Sequence, residues 1–297
     1  MGKIVVVGSS SIDLVVTSPK RPIAGETVIG ETFHIVPGGK GANQAVAAAR
    51  AGARVEMVGA VGNDRFGDMV LDNFQKQGVS ATYMKPVTHK STGIAHIVIA
   101  EGDNSIVVVP GANSEVDRDL VDRAKEAIKA ASVVLLQLEI PLDTVIYVAD
   151  LCKKSNVPVI LNPAPAKLLP SDLIEKVTYL TPNEHECRAI LGDCGDVEEI
   201  LKRYPNKIIL SEGSQGVRYF DGDRFVRVPA LSVDVVDTTG AGDTFNGVFA
   251  VALAQGLPLK QAIRYGCVAA SLSVTKLGAQ GGMPTMEEIR KHVGDGH

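Results

Sequence analysis

Short, continuously apolar segments alternate with longer segments of helical period along most of this 297-residue chain, and that alternation constrains the fold more than any other feature. Strand candidates lie at 4–7, 55–58, 133–136, 157–161, 178–180 and 207–210. Helix candidates lie at 42–51 closed by Gly52, 66–77 closed by Gly78, 118–130, 142–154, 183–191 and 198–203. Glycine just past a helical pattern is the expected stop. Strands that are apolar throughout belong to a sheet covered on both faces. Strand–helix alternation joins such strands in parallel through right-handed crossovers. The expectation is an α/β fold with a doubly wound, mostly parallel sheet flanked by helices.

Two stretches break the rhythm. Residues 27–36 read as extended chain of mixed polarity, and 93–109 is β-rich around the turn Glu101-Gly-Asp-Asn. Both adjoin glycine-rich segments, so a small β-sheet is expected to project from the body and cover a site; an edge hairpin of the main sheet is the alternative. The boundaries are then 1–12, 38–91 and 110–297 for an α/β core, and 13–37 with 92–109 for a β-lid. Residues 217–228 read as an antiparallel meander, and 242–254 with 259–274 as an apolar helix pair.

Composition narrows the function classes. A 45% hydrophobic, 22% charged chain can pack a sizeable core. The net charge of −4 and the absence of any basic stripe argue against a nucleic-acid groove. No apolar stretch is long enough to span a bilayer, and the N-terminus reads as a first strand, not a signal peptide. Cys152, Cys187, Cys194 and Cys267 are scattered without a C-x-x-C pair, as expected of reduced thiols in a cytoplasmic protein. The six histidines form no metal-binding pattern, and His185 beside Glu184 and Glu186 reads as a helix-surface residue.

The chemistry concentrates in the run Asp-Thr-Thr-Gly-Ala-Gly-Asp at 237–243. Apolar residues from Ala241 to Leu253 then recur on one helical face, so Gly240 and Gly242 fall where a helix has free N–H groups and can bind phosphate. Asp243 would repel that anion unless it takes a proton from a hydroxyl attacking phosphorus. A glycine-rich turn with an ordinary helix-start Asp fits the segment equally well. Neither a P-loop nor a dinucleotide fingerprint is present, which removes a nicotinamide dehydrogenase. The loop Gly-Gly-Lys-Gly-Ala-Asn at 38–43 allows close backbone approach, with Lys40 and Asn43 as donors. It suits a polyhydroxylated ligand or, alternatively, a solvated loop. Asp13 could grip paired hydroxyls, and Glu139 lies at a strand's C-terminal end, where open α/β sheets bind ligands. Asn183 and Glu186 share a helix face and could hold hydrated Mg²⁺, or could simply form a capping box.

Taken in order over the whole chain, these segments resemble the ribokinase-like carbohydrate kinases, also called the phosphofructokinase-B type. Gly-Gly-Lys-Gly-Ala-Asn-Gln at 38–44 resembles the N-terminal signature, 237–247 the C-terminal one, and Asn183-x-x-Glu186 a third motif. The resemblance implies ATP-dependent phosphorylation of a sugar hydroxyl: D-ribose at O5, or alternatively deoxyribose, fructose, a keto-deoxy acid or a nucleoside. A non-catalytic sugar or nucleotide sensor is the rival from another class. It implies Asp243 as base, an anion hole at Gly240, Ala241 and Gly242, and Asn183 and Glu186 near Mg²⁺ and the ATP phosphates. Ser11, Asp13, Gly39, Lys40, Asn43 and Glu139 would line the sugar site, with Ser211 and Gly213 on the nucleotide side. Asp237, Thr239, Ser273, Lys276 and Gly278 would bind an activating K⁺, and the lid would form a homodimer contact. Ser11, Gly240 and Gly282 depart from the residues often found there, which are Asn, Ala and Ser.

Overall fold

The computed structural model describes residues 2–192 and 196–294. Its strands in chain order are β1 (Lys3–Val7), β2 (Ser11–Thr17), β3 (Thr32–Gly38), β4 (Arg54–Gly62), β5 (Val79–Val87), β6 (Gly93–Ala100) and β7 (Asp103–Val109). They continue as β8 (Val133–Leu136), β9 (Val159–Leu161), β10 (Tyr179–Leu180), β11 (Leu210–Ser211), β12 (Val217–Phe220) and β13 (Phe225–Val228). The main sheet runs β10-β9-β8-β1-β4-β5, and every pair in it is parallel. The chain starts at the centre, winds out to β5, then restarts on the other side of β1 with β8. That reversal opens a crevice beyond the C-terminal ends of β1 and β8.

Alternate residues of β1 feed opposite cores. Val5 and Val7 join one apolar cluster with Val134, Leu136 and Val148, while Ile4 and Val6 join another with Leu135, Phe249 and Val268. The first cluster includes the helix Leu142–Lys154; the second includes the pair Ala241–Ala254 and Leu259–Ser273. Phe245 and Phe249 stack at 5.5 Å between ring centres inside the second cluster. Burying each such ring stabilises the fold by about 1.5–3 kcal/mol, which anchors the helix whose first turn carries Asp243.

The segments that break the α/β rhythm form a separate four-stranded sheet, ordered β3-β2-β6-β7. β2 and β6 pair in parallel and the outer pairs are antiparallel. Glu101 and Gly102 both take positive φ, the conformation of a tight two-residue hairpin turn. Asp13 stands within β2 of this second sheet. The helix expected over 118–130 is divided at Ala124 into Arg118–Arg123 and Lys125–Lys129, because the Ala124 N–H is shared between the carbonyls of Leu120 and Val121. β5 and the terminal helix Met286–Val293 add to the expected elements. Cys152, Cys187 and Cys267 are buried free thiols, and Cys194 lies outside the described residues. No described helix is long and apolar enough to cross a membrane.

Candidate active site

The helix Ala241–Ala254 is set by what precedes it. Gly240 is its N-cap at φ 77°, and a Cβ there would meet the Ala279 carbonyl oxygen at 2.6 Å. An L-residue is therefore opposed twice, by its own backbone and by a neighbour. The departure noted at Gly240 thus has a local structural cause. By contrast, a Cβ at Gly242 would meet nothing within 4 Å, so the backbone there faces open space. The Ala241 N–H donates to the Thr238 carbonyl at 3.2 Å. Of the three donors expected of an anion hole, Ala241 is thus engaged in its own turn. No described partner takes the N–H of Gly242 or of Asp243.

Asp243 is buried at this helix start. Its Oδ2 accepts from Asn43 Nδ2 and its Oδ1 from Gln44 Nε2, both at 3.0 Å. Burial raises the Asp243 carboxyl above its ordinary range; the Lys40 charge and the two amide donors oppose that shift without cancelling it. Lys40 opens the helix Lys40–Arg50, and its backbone N–H donates to Glu139 Oε2 at 3.0 Å. Burial works against the Lys40 ammonium, yet Asp243, Glu139, Glu186 and Asp13 hold it above its ordinary value. Burial, reinforced by Glu139, pushes Asp13 up to about 6. Four carboxylates thus surround one ammonium.

Three cavities run in line across these groups. The largest, about 720 Å³, is bounded by Ser11, Asp13, Gly39, Lys40, Asn43 and Glu139, with Asp243 and Gly240 at its inner end. The lid contributes its apolar wall through Ile97, Ile106 and Val108. A middle cavity of about 220 Å³ shares Lys40, Gly240 and Asp243 with it, and also touches Asn183, Glu186 and Gly242. A third, about 490 Å³, continues past Gly242 between Ser211, Gly213 and the two helices that carry Phe245 and Cys267. A chamber with charged and amide groups facing an apolar lid wall, a small polar joint and a second, largely apolar chamber suit a hydroxylated acceptor, a phosphate chain and a base.

Asn183 and Glu186 form the capping box. Asn183 Oδ1 accepts from the Glu186 N–H at 2.8 Å, and Glu186 Oε2 accepts from the Asn183 N–H at 2.9 Å. Both side chains still border the middle cavity, with one Glu186 oxygen and the Asn183 NH₂ left over. That remainder fits a hydrated divalent ion through water and a phosphate oxygen, not a closed metal cage. No group of three or more His, Cys, Asp or Glu able to hold a metal occurs among the described residues.

Asp237 ties two loops together, accepting from the N–H groups of Thr239 at 2.9 Å and Gly278 at 2.8 Å. Burial opposes its charge, but these bonds outweigh it and hold the carboxyl below its ordinary value. Each oxygen of this carboxylate takes one backbone donor. Ser273 is buried nearby with its hydroxyl on the Ala270 carbonyl, while Lys276 is exposed. A Cβ at Gly282 would lie 1.9 Å from the Ser273 carbonyl oxygen, so the backbone itself requires glycine there.

Sequence reasoning gave no role in the site's chemistry to three buried amides. Gln44, Gln137 and Asn162 form a hydrogen-bonded group behind Asp243. The only available signal was position: Gln137 and Asn162 each directly follow a main-sheet strand.

A switch-point crevice with a carboxylate at a helix start whose N–H groups are open, joining two larger chambers, is the arrangement expected of a phosphotransferase with an alcohol acceptor. Comparison with known proteins agrees. The chain belongs to the pfkB family of carbohydrate kinases, whose pattern matches residues 1–286. It is 54% identical to a ribokinase of Bacillus subtilis, covering 98% of this chain and 99% of that one. A ribokinase of Lactococcus lactis is 47% identical, covering 98% and 96%. Among solved structures, an Arabidopsis thaliana ribokinase complexed with ribose and ATP superposes with a TM-score of 0.91 at 33% identity, covering 99% of each chain.

Proposed function

We infer that this protein is an ATP-dependent kinase that transfers the γ-phosphoryl group to O5 of D-ribose, giving ribose 5-phosphate. The observation that carries the reading is the position of Asp243, where the acceptor cavity meets the phosphate cavity. Asp13, Lys40, Asn43 and Glu139, with Ser11 and Gly39, hold the sugar hydroxyls. That presents O5 to Asp243, which accepts its proton as the O5–P bond forms and the bond from phosphorus to the ADP oxygen breaks. The free N–H groups at Gly242 and Asp243, with Gly240 shaping the turn, stabilise the transferring oxygens as charge builds on them. Ser211 and Gly213 border the nucleotide.

Four carboxylates around Lys40 would repel ATP without a divalent ion. Glu186 and Asn183 would hold Mg²⁺ through water, and the ion would supply that neutralisation. A monovalent cation, K⁺, fits at Asp237 with backbone oxygens of Thr239, Ser273, Lys276 and Gly278; it would hold the loop that packs on Gly240. The four-stranded sheet, whose strands lie within 11–38 and 93–109, acts as a lid that excludes water from the transfer. Its outermost strand β7 is exposed along its whole length, which supports pairing of two lids in a homodimer. The buried thiols, with Cys152 pushed up to about 12 by burial, suit a reducing cytoplasm.

The test is ADP release measured in parallel with ribose, 2-deoxyribose, fructose and adenosine. Ribose is expected to give the highest kcat/KM, and a clear preference for another acceptor would overturn the substrate. Asp243→Asn should lower kcat on the order of 10²-fold or more while ATP still binds; near-normal turnover would remove the base.

A further inference from the structure

The amides behind Asp243 are directional. An ionised carboxylate only accepts hydrogen bonds, so the Gln44 side chain must turn its NH₂ toward Asp243 Oδ1, 3.0 Å away. The same NH₂ donates its other proton to Asn162 Oδ1 at 3.2 Å. Gln44 Oε1 is then left facing inward, and Gln137 Nε2 donates to it at 2.6 Å. Asn162 is fixed in turn, because its NH₂ donates to the Thr181 carbonyl at 3.3 Å. Gln44 and Gln137 are fully buried, and neither borders the sugar cavity. The chain ends on a buried acceptor without a partner, Gln137 Oε1, which lies over Gly8. Leaving that oxygen unpaired is unfavourable, and reversing the Gln137 amide would set oxygen against the Gln44 oxygen. The arrangement is thus built around a proton acceptor at Asp243.

We propose that Gln44, backed by Gln137 and Asn162, is a positioning residue for phosphoryl transfer, holding the Asp243 carboxylate in one orientation and in its proton-accepting form. This role presupposes that Asp243 is the base. A protonated Asp243 would present an O–H to a nitrogen that has no lone pair to receive it, so the chain disfavours that state. Burial of Asp243 pulls the other way, and the Gln44 bond offsets part of that pull.

The test is the pH dependence of the single-turnover phosphorylation rate in Gln44→Met and Gln137→Met. Methionine keeps the length of glutamine and removes its hydrogen bonds. In Gln44→Met the acid limb is expected to move up by about one pH unit, so the rate falls roughly tenfold on that limb and recovers most of its value at high pH. The sugar KM should stay within about threefold of the parent value, since Gln44 does not touch the sugar cavity; a one-unit limb shift is tenfold in rate and well separated from it. Gln137→Met, which touches Asp243 only through Gln44, should move the limb the same way by less, and it decides the matter if Gln44→Met does not fold. An unchanged acid limb in both variants, whether the rate is normal or uniformly reduced, would overturn the positioning role. Asp243→Asn separates the two failures: if it is inactive while both limbs stay in place, only this role falls, and if it is active, the base itself is misassigned.

Discussion

Asp13 offers the sharpest test of the site, because its function and its stability should pull in opposite directions. The side chain is buried, and burial with the nearby Glu139 charge lifts it from 3.8 to about 6. At about 1.4 kcal/mol per pH unit, that rise corresponds to about 3 kcal/mol of strain when the group is ionised. The sign follows from linkage. The folded state binds the proton more tightly than the unfolded chain, so stability is fully present below pH 4. It is lost as pH rises through about 6. Asp13→Asn removes the charge and keeps the shape. Above pH 7 the ligand-free variant should therefore be more stable than the parent. The gain is about 1–3 kcal/mol once the new amide's own desolvation is subtracted.

For a chain of this size, each kcal/mol is worth roughly 2–4 °C in Tm. Thermal melts between pH 4.5 and 8 should show the variant above the parent by several degrees at the alkaline end, with the gap closing toward pH 4.5. Sugar binding should move the other way. Loss of charge-assisted hydrogen bonds to hydroxyls, about 1.5–3 kcal/mol, raises the ribose KM roughly 10- to 100-fold. In the parent, kcat/KM for the sugar should fall with an acid limb near pH 6 that the variant lacks. A variant less stable at pH 8, or a stability gap independent of pH, would refute the account of Asp13 as a desolvated carboxylate kept for the ligand.

Two further outcomes follow from backbone and surface. Gly240→Ala places a Cβ 2.6 Å from the Ala279 oxygen at a left-handed φ, so Tm should drop by several degrees, on the order of 1–3 kcal/mol, and kcat by more than tenfold; full activity in that variant would show that the 274–283 loop yields freely. Val107→Lys on β7, at a position 65% exposed, should convert a dimer to a monomer in light scattering while leaving the monomer folded; an unchanged mass would place the interface elsewhere.

The sequence displays its sheet because burial on both faces leaves a mark that survives without context. Val133–Leu136 is four apolar residues, and a strand was expected at those same four positions. β5 carries no such mark. Its residues Val-Ser-Ala-Thr-Tyr-Met-Lys-Pro-Val are mostly half-buried, since it lies at the sheet edge, and they read as loop until β4 is present to pair with them. The small sheet shows a related effect. β2 starts at Ser11, and only its pairing with both β3 and β6 shows that Asp13 is a strand residue aimed at the acceptor cavity.

The site divides along a similar line. Charged and glycine-rich positions are legible because their chemistry is costly without a purpose: a carboxylate at an anion-binding helix start, or glycines where a Cβ would collide. Asn183 and Glu186 show the limit of that logic, since one spacing satisfies both a capping box and a route to a metal through water, and the structure supports both at once. The buried amides are illegible for a different reason. A glutamine at 44 is ordinary on any helix, and Gln137 and Asn162 lie 93 and 118 residues away from it in sequence. Their meaning arises only when the C-terminal ends of β8 and β9 are side by side beneath Asp243. Local chemistry therefore marks the group that reacts, whereas the groups that aim it are marked by topology alone.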